Sequence, residues 1–585
     1  MKKHLTKIVS VILALAILST GFATTAFAKQ SNWQRLGTGA LAGLITTALG
    51  AVNIIFPDGD DFINKADFDK NENFYTGTGT FQTAPAAGAK WKLGYANASL
   101  VPSDWKEHKY YLGGYIMIEN FFSNKVEGVI DDMKVRTIAI EDSTGRGISV
   151  FATIDCIGIT NSDIKEIRAA LEEKAAGKYD FASINVSSTH AHSGIDTEGL
   201  WTNLFVKVFK NIFRSLLHLG DLEQGTDKAY MDFLYDTVSD AMLKAVSGMT
   251  EGTMTFARKD VGADYFNNKN RKSASALMTD MSRLTFTPDD ESIRPTMIVN
   301  VAAHPDVAGL PTEDNSGREV CGEYIYYMGD TLDKAGYNCM FINGAIAGIY
   351  MSRGATNDSQ TLEKRYMQSE RYGVELGKMA LALTMTKEEI MKDKLLYDEE
   401  VIAAETAEAE ANGGTYTLWC ENWTPVEETV VEPFFNIVIK QVYVPVTNPF
   451  IQLAGKLNLA NYAVLKTGCG YEICTELGYV EFGNSLKAVM MPGEVCQDLI
   501  CGGTSLTKDD SYTGGEYKYP CLTELFGDED LICFGLTNDA IGYVIPDNDF
   551  AMAGAFDHYH ELISLGRYTA SSMSKVFEEI VKEVK

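Results

Sequence analysis

Residues 147–187 read strand, helix, strand, and that order limits the folds open to the chain. Gly147 to Cys156 is β-rich, and Asp163 to Ala176 places Ile164, Ile167 and Leu171 at helical spacing behind a Ser162/Asp163 cap. Phe181 to Ser187 is β-rich again. A helical crossover implies parallel neighbours, and ligands on such sheets gather outside the carboxyl ends of the strands. The residues at strand exits therefore carry the functional question.

The first exit carries Thr189-His190-Ala191-His192-Ser193-Gly194. If the chain is still extended there, residues two apart point to one side and both histidines reach a common site. The whole chain has 8 histidines, so two in three positions at a strand end points to metal binding or catalysis. The bland alternative is a hydrogen-bonded structural pair. Three further apolar runs behave alike: Met297 to Ala303 ends at His304-Pro305, and Leu486 to Met491 breaks at Pro492-Gly493-Glu494. Leu531 to Leu536 is followed by Asn538 and, after Gly542, Tyr543. Near-continuous apolar runs suit strands of a mixed, largely parallel β-sheet flanked by helices, an α/β class built as one large catalytic domain. Periodicity alone does not bring these four ends together.

Composition narrows the function. With 585 residues, 45% of them hydrophobic, the chain can bury a sizeable core. Lys+Arg 51 against Asp+Glu 79 gives a net charge of -28 with no basic stripe, which excludes nucleic acid as the expected partner. Residues 1–28 form a signal peptide: Lys2, Lys3 and Lys7, an apolar run from Ile8 to Leu18, then Ala26-Phe27-Ala28. The expectation is a secreted protein. An uncharged segment, Leu36 to Phe56, reads either as a membrane attachment or as an apolar N-terminal helix packed on the body. Residues 29–88 are thus an apolar segment followed by a polar linker, and the catalytic body runs from 89 to 585. Asp67 to Asn71 imitates a calcium loop, but Glu72 stands where the loop needs glycine, so no calcium site is expected. The cysteines form no CxxC pair and no zinc-thiolate site is expected.

Together these segments resemble the neutral ceramidase family. Its Thr-His-Thr-His-Ser-Gly hallmark is similar to residues 189–194, and Val301-Ala302-Ala303-His304-Pro305 resembles its second histidine strand. Met491 to Glu494 resembles its Pro-Gly-Glu turn, Asn538 to Tyr543 its tyrosine-bearing segment, and Asn270-Arg271 its Asn-Arg-Ser motif. The resemblance spans roughly residues 90 to 575. It implies zinc (Zn2+) held by His190, His304, Glu494 and Tyr543, with His192 moving a proton or stabilising an oxyanion and Arg271 positioning substrate. The implied reaction is hydrolysis of the N-acyl bond of ceramide to a sphingoid base and a fatty acid.

Three departures from the family pattern stand out. Ile195 replaces a proline, and the Gly-Asp-Val-Ser-Pro stretch is met by Gly348-Ile349-Tyr350-Met351-Ser352-Arg353, which displaces the candidate catalytic Ser352 by one position. The chain ends at Lys585, with no room expected for a C-terminal immunoglobulin-like domain. Leu200 to Leu219 sets Leu204, Val208, Phe209, Ile212, Phe213, Leu216 and Leu217 at helical spacings with Lys207, Lys210 and Arg214 between them. This is either a core-facing helix or one touching a membrane surface. Two alternatives stay open: a zinc hydrolase of this fold acting on another amide or ester, and a secreted lipid-binding protein without catalysis.

Overall fold

The computed structural model describes residues 56, 62–114, 124–270, 276–306, 318–352, 362–411, 415–468, 470–551 and 559–585. The expected signal peptide, and all of the 36–56 segment except Phe56, fall outside them. Eight strands build the first sheet: β1 (Trp91–Ser99), β2 (Lys134–Glu141), β3 (Ile148–Ile154), β4 (Phe181–Ser188), β5 (Thr250–Asp260), β6 (Asp280–Pro288), β7 (Thr296–Val301) and β8 (Asn338–Asn343). Their spatial order is 8-7-6-5-1-2-3-4, and Thr429–Val430 adds a ninth strand beside β5. After β9 (Ile349–Met351), a second sheet of six strands contains β10 (Phe435–Pro445), β11 (Val464–Lys466), β12 (Tyr471–Phe482), β13 (Leu486–Met490) and, beyond β14 (Glu494–Val495), β15 (Ile532–Phe534). Its sixth member is Ile63–Asn64, which pairs with β11. The Thr78 N–H also donates to the Ile437 carbonyl (2.9 Å), so the described part of the expected linker is laid along this sheet.

The two sheets pack face to face. Phe151, Phe286, Met340 and Ile342 of the first meet Ile437, Phe482, Met490 and Phe534 of the second in one buried cluster. Helices α1 (Asn161–Ala175) and α3 (Lys228–Ser247), on either side of α2 (Leu204–Leu217) in the chain, cover the outer face of the first sheet together with α4 (Glu323–Lys334) and α5 (Leu362–Ala382). On the second sheet, α6 (Thr569–Val584) does the same. The mixed α/β class is as expected. The parallel share is smaller: in the first sheet β3–β4 and β7–β8 are parallel, and the other neighbours in that order are antiparallel. The apolar runs are continuous because each strand has a sheet on one side and helices on the other, and burial of both faces does not require parallel pairing.

The expected crossover is present, with its helix starting two residues earlier. Thr160, not Ser162, is the cap; its side chain accepts from the Asp163 N–H, and Ala176, at φ 51°, closes the helix in the left-handed region. Among the buried residues of α1 is Arg168, which reaches across to β12. Its guanidinium donates to both carboxylate oxygens of Glu476 (2.9 and 2.8 Å) and to the Ile184 carbonyl (2.9 Å). Both members of this pair are inaccessible to solvent, so neither charge is screened by water. Arg168→Leu strands the Glu476 carboxylate and is expected to cost about 3–5 kcal/mol, read from the urea midpoint, whereas adding Glu476→Leu restores most of it.

Candidate metal centre

Four strand exits meet at one place, two from each sheet. His190 follows β4 and His304 follows β7, while Glu494 opens β14 just after β13, and Tyr543 opens β16 (Tyr543–Val544) beyond β15. The ring centroids of His190 and His304 are 4.9 Å apart, and His192 stands 4.7 Å from the first and 5.8 Å from the second. One nitrogen of each of the three rings lies within 4.8 Å of the others. Glu494 Oε2 is 2.9 Å from His304 Nε2 and 3.5 Å from His190 Nε2, and the Tyr543 hydroxyl hydrogen-bonds to Glu494. All five side chains are buried.

Local backbone geometry makes this possible. The expectation of an extended chain through the double-histidine motif is corrected: His190 sits at φ 68°, so the histidines converge through a left-handed turn and not through strand alternation. The His192 N–H donates to the Pro305 carbonyl (3.1 Å), which ties this loop to the end of β7. β14 and β16 form a separate two-stranded parallel sheet, with Glu494 directly beside Tyr543. Gly493 permits this approach, since a Cβ there would lie 2.4 Å from the Gly542 carbonyl oxygen. Gly542 has φ 75° and would place a Cβ 1.9 Å from the Ile563 carbonyl oxygen. The Pro-Gly-Glu turn and the glycine before Tyr543 are therefore two halves of one contact.

Hydrogen bonding fixes which nitrogens face inward. His190 Nδ1 lies 2.6 Å from the Ile157 carbonyl and His304 Nδ1 lies 2.8 Å from the Ile349 carbonyl. A carbonyl only accepts, so the ring proton is assigned to Nδ1 in both, and each Nε2 turns its lone pair toward Glu494. Burial pushes His190 and His304 down to about 4 and His192 well below its ordinary value, so all three are neutral near pH 7. Burial raises the Glu494 carboxyl, with His190 opposing, and burial and the neighbouring Glu494 raise the Tyr543 phenol. Lone pairs converging on a carboxylate oxygen in a dry pocket form a donor set that calls for a cation. Imidazole with carboxylate or phenol oxygen suits zinc; His192 lies close enough to complete a three-nitrogen set instead.

The remaining expected site residues fare differently. Arg271 lies outside the described residues. Ser352 is half-buried just beyond β9, where its N–H donates to the Tyr265 carbonyl (3.1 Å). Among the described hydrogen bonds its hydroxyl has none to the histidines. Asn538 is a staple for the fold, at φ 65°, with its N–H on the Val186 carbonyl (2.7 Å) and its amide on Asn185 (3.0 Å). Two residues not expected from the sequence complete the surroundings. The Tyr350 ring stacks on His304 at 4.5 Å and 17°, with the Lys269 ammonium 4.1 Å from its centroid. His560 stacks on Tyr543 at 4.2 Å and 20°. Tyr350 comes from the segment with the displaced serine motif, so that departure was its sequence signal; His560 had only the rarity of histidine.

No protein-family profile matches the chain, and no curated protein matches it in sequence. Solved structures do. Neutral ceramidase from Pseudomonas aeruginosa superposes with a TM-score of 0.53 at 12% identity, covering 84% of this chain and 74% of that one. A ceramidase complexed with C2 superposes with a TM-score of 0.52 at 12% identity, covering 84% and 75%. The fold is that of neutral ceramidase. At this identity the likeness establishes architecture, so the chemistry rests on the side chains above.

Between their ordinary 6.5 and about 4, His190 and His304 stay neutral in the folded chain while the unfolded chain binds protons. These two groups therefore contribute stability to the metal-free protein that is present above pH 6.5 and lost as pH falls toward 4, with the raised Glu494 carboxyl opposing them. Thermal midpoints across this range should show that slope, and His190→Gln should flatten it; an unchanged slope removes His190 as a source.

Proposed function

We propose that the chain is a zinc-dependent amidohydrolase that cleaves the N-acyl bond of ceramide or a related N-acyl lipid. The observation that carries this reading is the buried meeting of His190, His192 and His304 with Glu494 and Tyr543 in a neutral ceramidase fold. His190, His304, Glu494 and Tyr543 would hold the metal. When bound, zinc polarises the amide carbonyl and makes water nucleophilic near neutral pH.

The protein's own groups do the rest. The Ile157 and Ile349 carbonyls hold the Nδ1 protons of His190 and His304, so both rings present Nε2 inward. Tyr350, stacked on His304, limits rotation of that ring. Burial keeps the His192 imidazole neutral, which lets it accept a proton from water and return it to the leaving nitrogen as the C–N bond breaks. The protein is proposed to leave the cell through residues 1–28, with 36–56 as a surface attachment. Among the described residues, no helix is long and apolar enough to cross a membrane.

A second reading keeps the metal and changes the substrate to another amide or ester; the displaced serine stretch, in which Tyr350 and not Ser352 contacts His304 among the described contacts, favours it. Fatty-acid release from ceramides, simple N-acyl amides and esters, with and without chelator, separates the two. Chelator-sensitive ceramide cleavage is expected. Glu494→Ala should lose both metal and activity, while His192→Ala should keep its metal and lose about 10²–10⁴-fold in turnover. Metal-loaded protein inert on the whole panel would leave the non-catalytic lipid-binding alternative.

A further inference from the structure

The segment entering α4, Cys321 to Tyr324, grips both histidine exits. The Tyr324 hydroxyl donates to the Ala303 carbonyl (2.9 Å), one residue before His304, and the Cys321 N–H donates to the Ser193 carbonyl (3.2 Å), one residue after His192. Between them stands Glu323. It is wholly buried, and its backbone is held at φ 53°, a left-handed conformation that a residue with a Cβ keeps only where its surroundings enforce it. One carboxylate oxygen accepts from the Ser193 hydroxyl (2.7 Å), and the other accepts from the Ser369 hydroxyl of α5 (3.0 Å). Both serines are buried as well. The Gly322 N–H donates to Asp131 Oδ1 (2.5 Å), so the backbone that carries Glu323 is fixed in its turn.

A carboxylate buried this deeply carries a desolvation cost, which hydroxyl donors offset in part. Its effect falls on the double-histidine loop. The chain at His192 and Ser193 is tied at three points: the His192 N–H on the Pro305 carbonyl (3.1 Å), the Ser193 carbonyl on the Cys321 N–H, and the Ser193 hydroxyl on Glu323. The first two are backbone bonds. The third depends on a serine at 193 and an acceptor at 323, and it is the one that joins this loop to the outer helices by way of Ser369. We propose that Glu323 is a positioning residue for His192, acting through the Ser193 hydroxyl to hold that imidazole beside His190, at 4.7 Å between ring centroids. Its kinetic consequence rests on the reading of His192 as the group that moves the proton; the placement of the ring does not.

Ceramide turnover by the zinc-loaded full chain is compared for Glu323→Gln and Ser193→Ala, each alone and in the His192→Ala background, with near-ultraviolet circular dichroism checking the fold. Each substitution alone is expected to lower kcat roughly ten- to hundred-fold with KM and bound zinc nearly unchanged. In the His192→Ala background the same substitutions should cost less than roughly two-fold, because the group they position is gone. A loss of equal size in both backgrounds gives Glu323 a general structural role and overturns the proposal, as does an unchanged kcat. A second measurement does not depend on catalysis. In the metal-free chain carrying isotope-labelled histidine, the ring signals of His192, assigned by their absence from His192→Ala, should move in Ser193→Ala while those of the exposed His218 stay in place. Unmoved His192 signals overturn the proposal even where activity falls. If Glu323→Gln does not fold, Ser193→Ala, which removes a single oxygen atom, carries both measurements. Inactivity of every protein, with the His192 signals still moved, would sink the hydrolase reading and leave the placement of the ring standing.

Discussion

Burial of apolar side chains between the two sheets fixes where the candidate centre can be. His190 and His304 leave strands of the first sheet, while Glu494 and Tyr543 sit on the separate pair β14–β16, whose strands follow β13 and β15 of the second in the chain, and no local hydrogen bond could bring the two pairs together unless the sheets were already packed. Phe151, Phe286 and Met340 against Phe482, Met490 and Phe534 set that spacing. Close packing of this kind tolerates little sliding, so the strand ends arrive at defined positions. The buried fork between Arg168 and Glu476 adds direction to an interface that is otherwise non-directional, because a bidentate pair is satisfied in one register only.

At the centre itself, cost and specificity are linked. His190 holds a left-handed backbone conformation, and Gly493 and Gly542 accept carbonyl contacts that no side chain would permit. Three neutral imidazoles and a carboxylate are held where water cannot solvate them. Such an arrangement persists because the surrounding sheets over-determine it, and it leaves lone pairs oriented before anything binds.

The strand exits were readable in the sequence because each apolar run stops abruptly at a histidine, a Pro-Gly turn or a glycine. The crossover at 147–187 was readable for the same reason, since its period changes twice. What the sequence did not show follows from contacts between distant residues. Strand direction was misjudged because double-sided burial looks the same in parallel and antiparallel strands. Tyr350 reaches His304 through a parallel bridge, and His560 reaches Tyr543 by ring stacking; neither is encoded in local spacing. The seven apolar residues noted on α2 were read as one stripe, whereas the fold divides them, with Ile212 buried and Phe213 beside it in water.

The division of the centre between two sheets has a thermodynamic consequence. Any cation gripped by residues of both sheets is also a cross-link between them, so its affinity and the strength of the sheet interface are reciprocal quantities. Trimming Phe286 or Phe534 at that interface would weaken the grip to the extent that it lets the sheets part, and a bound cation would offset part of the loss.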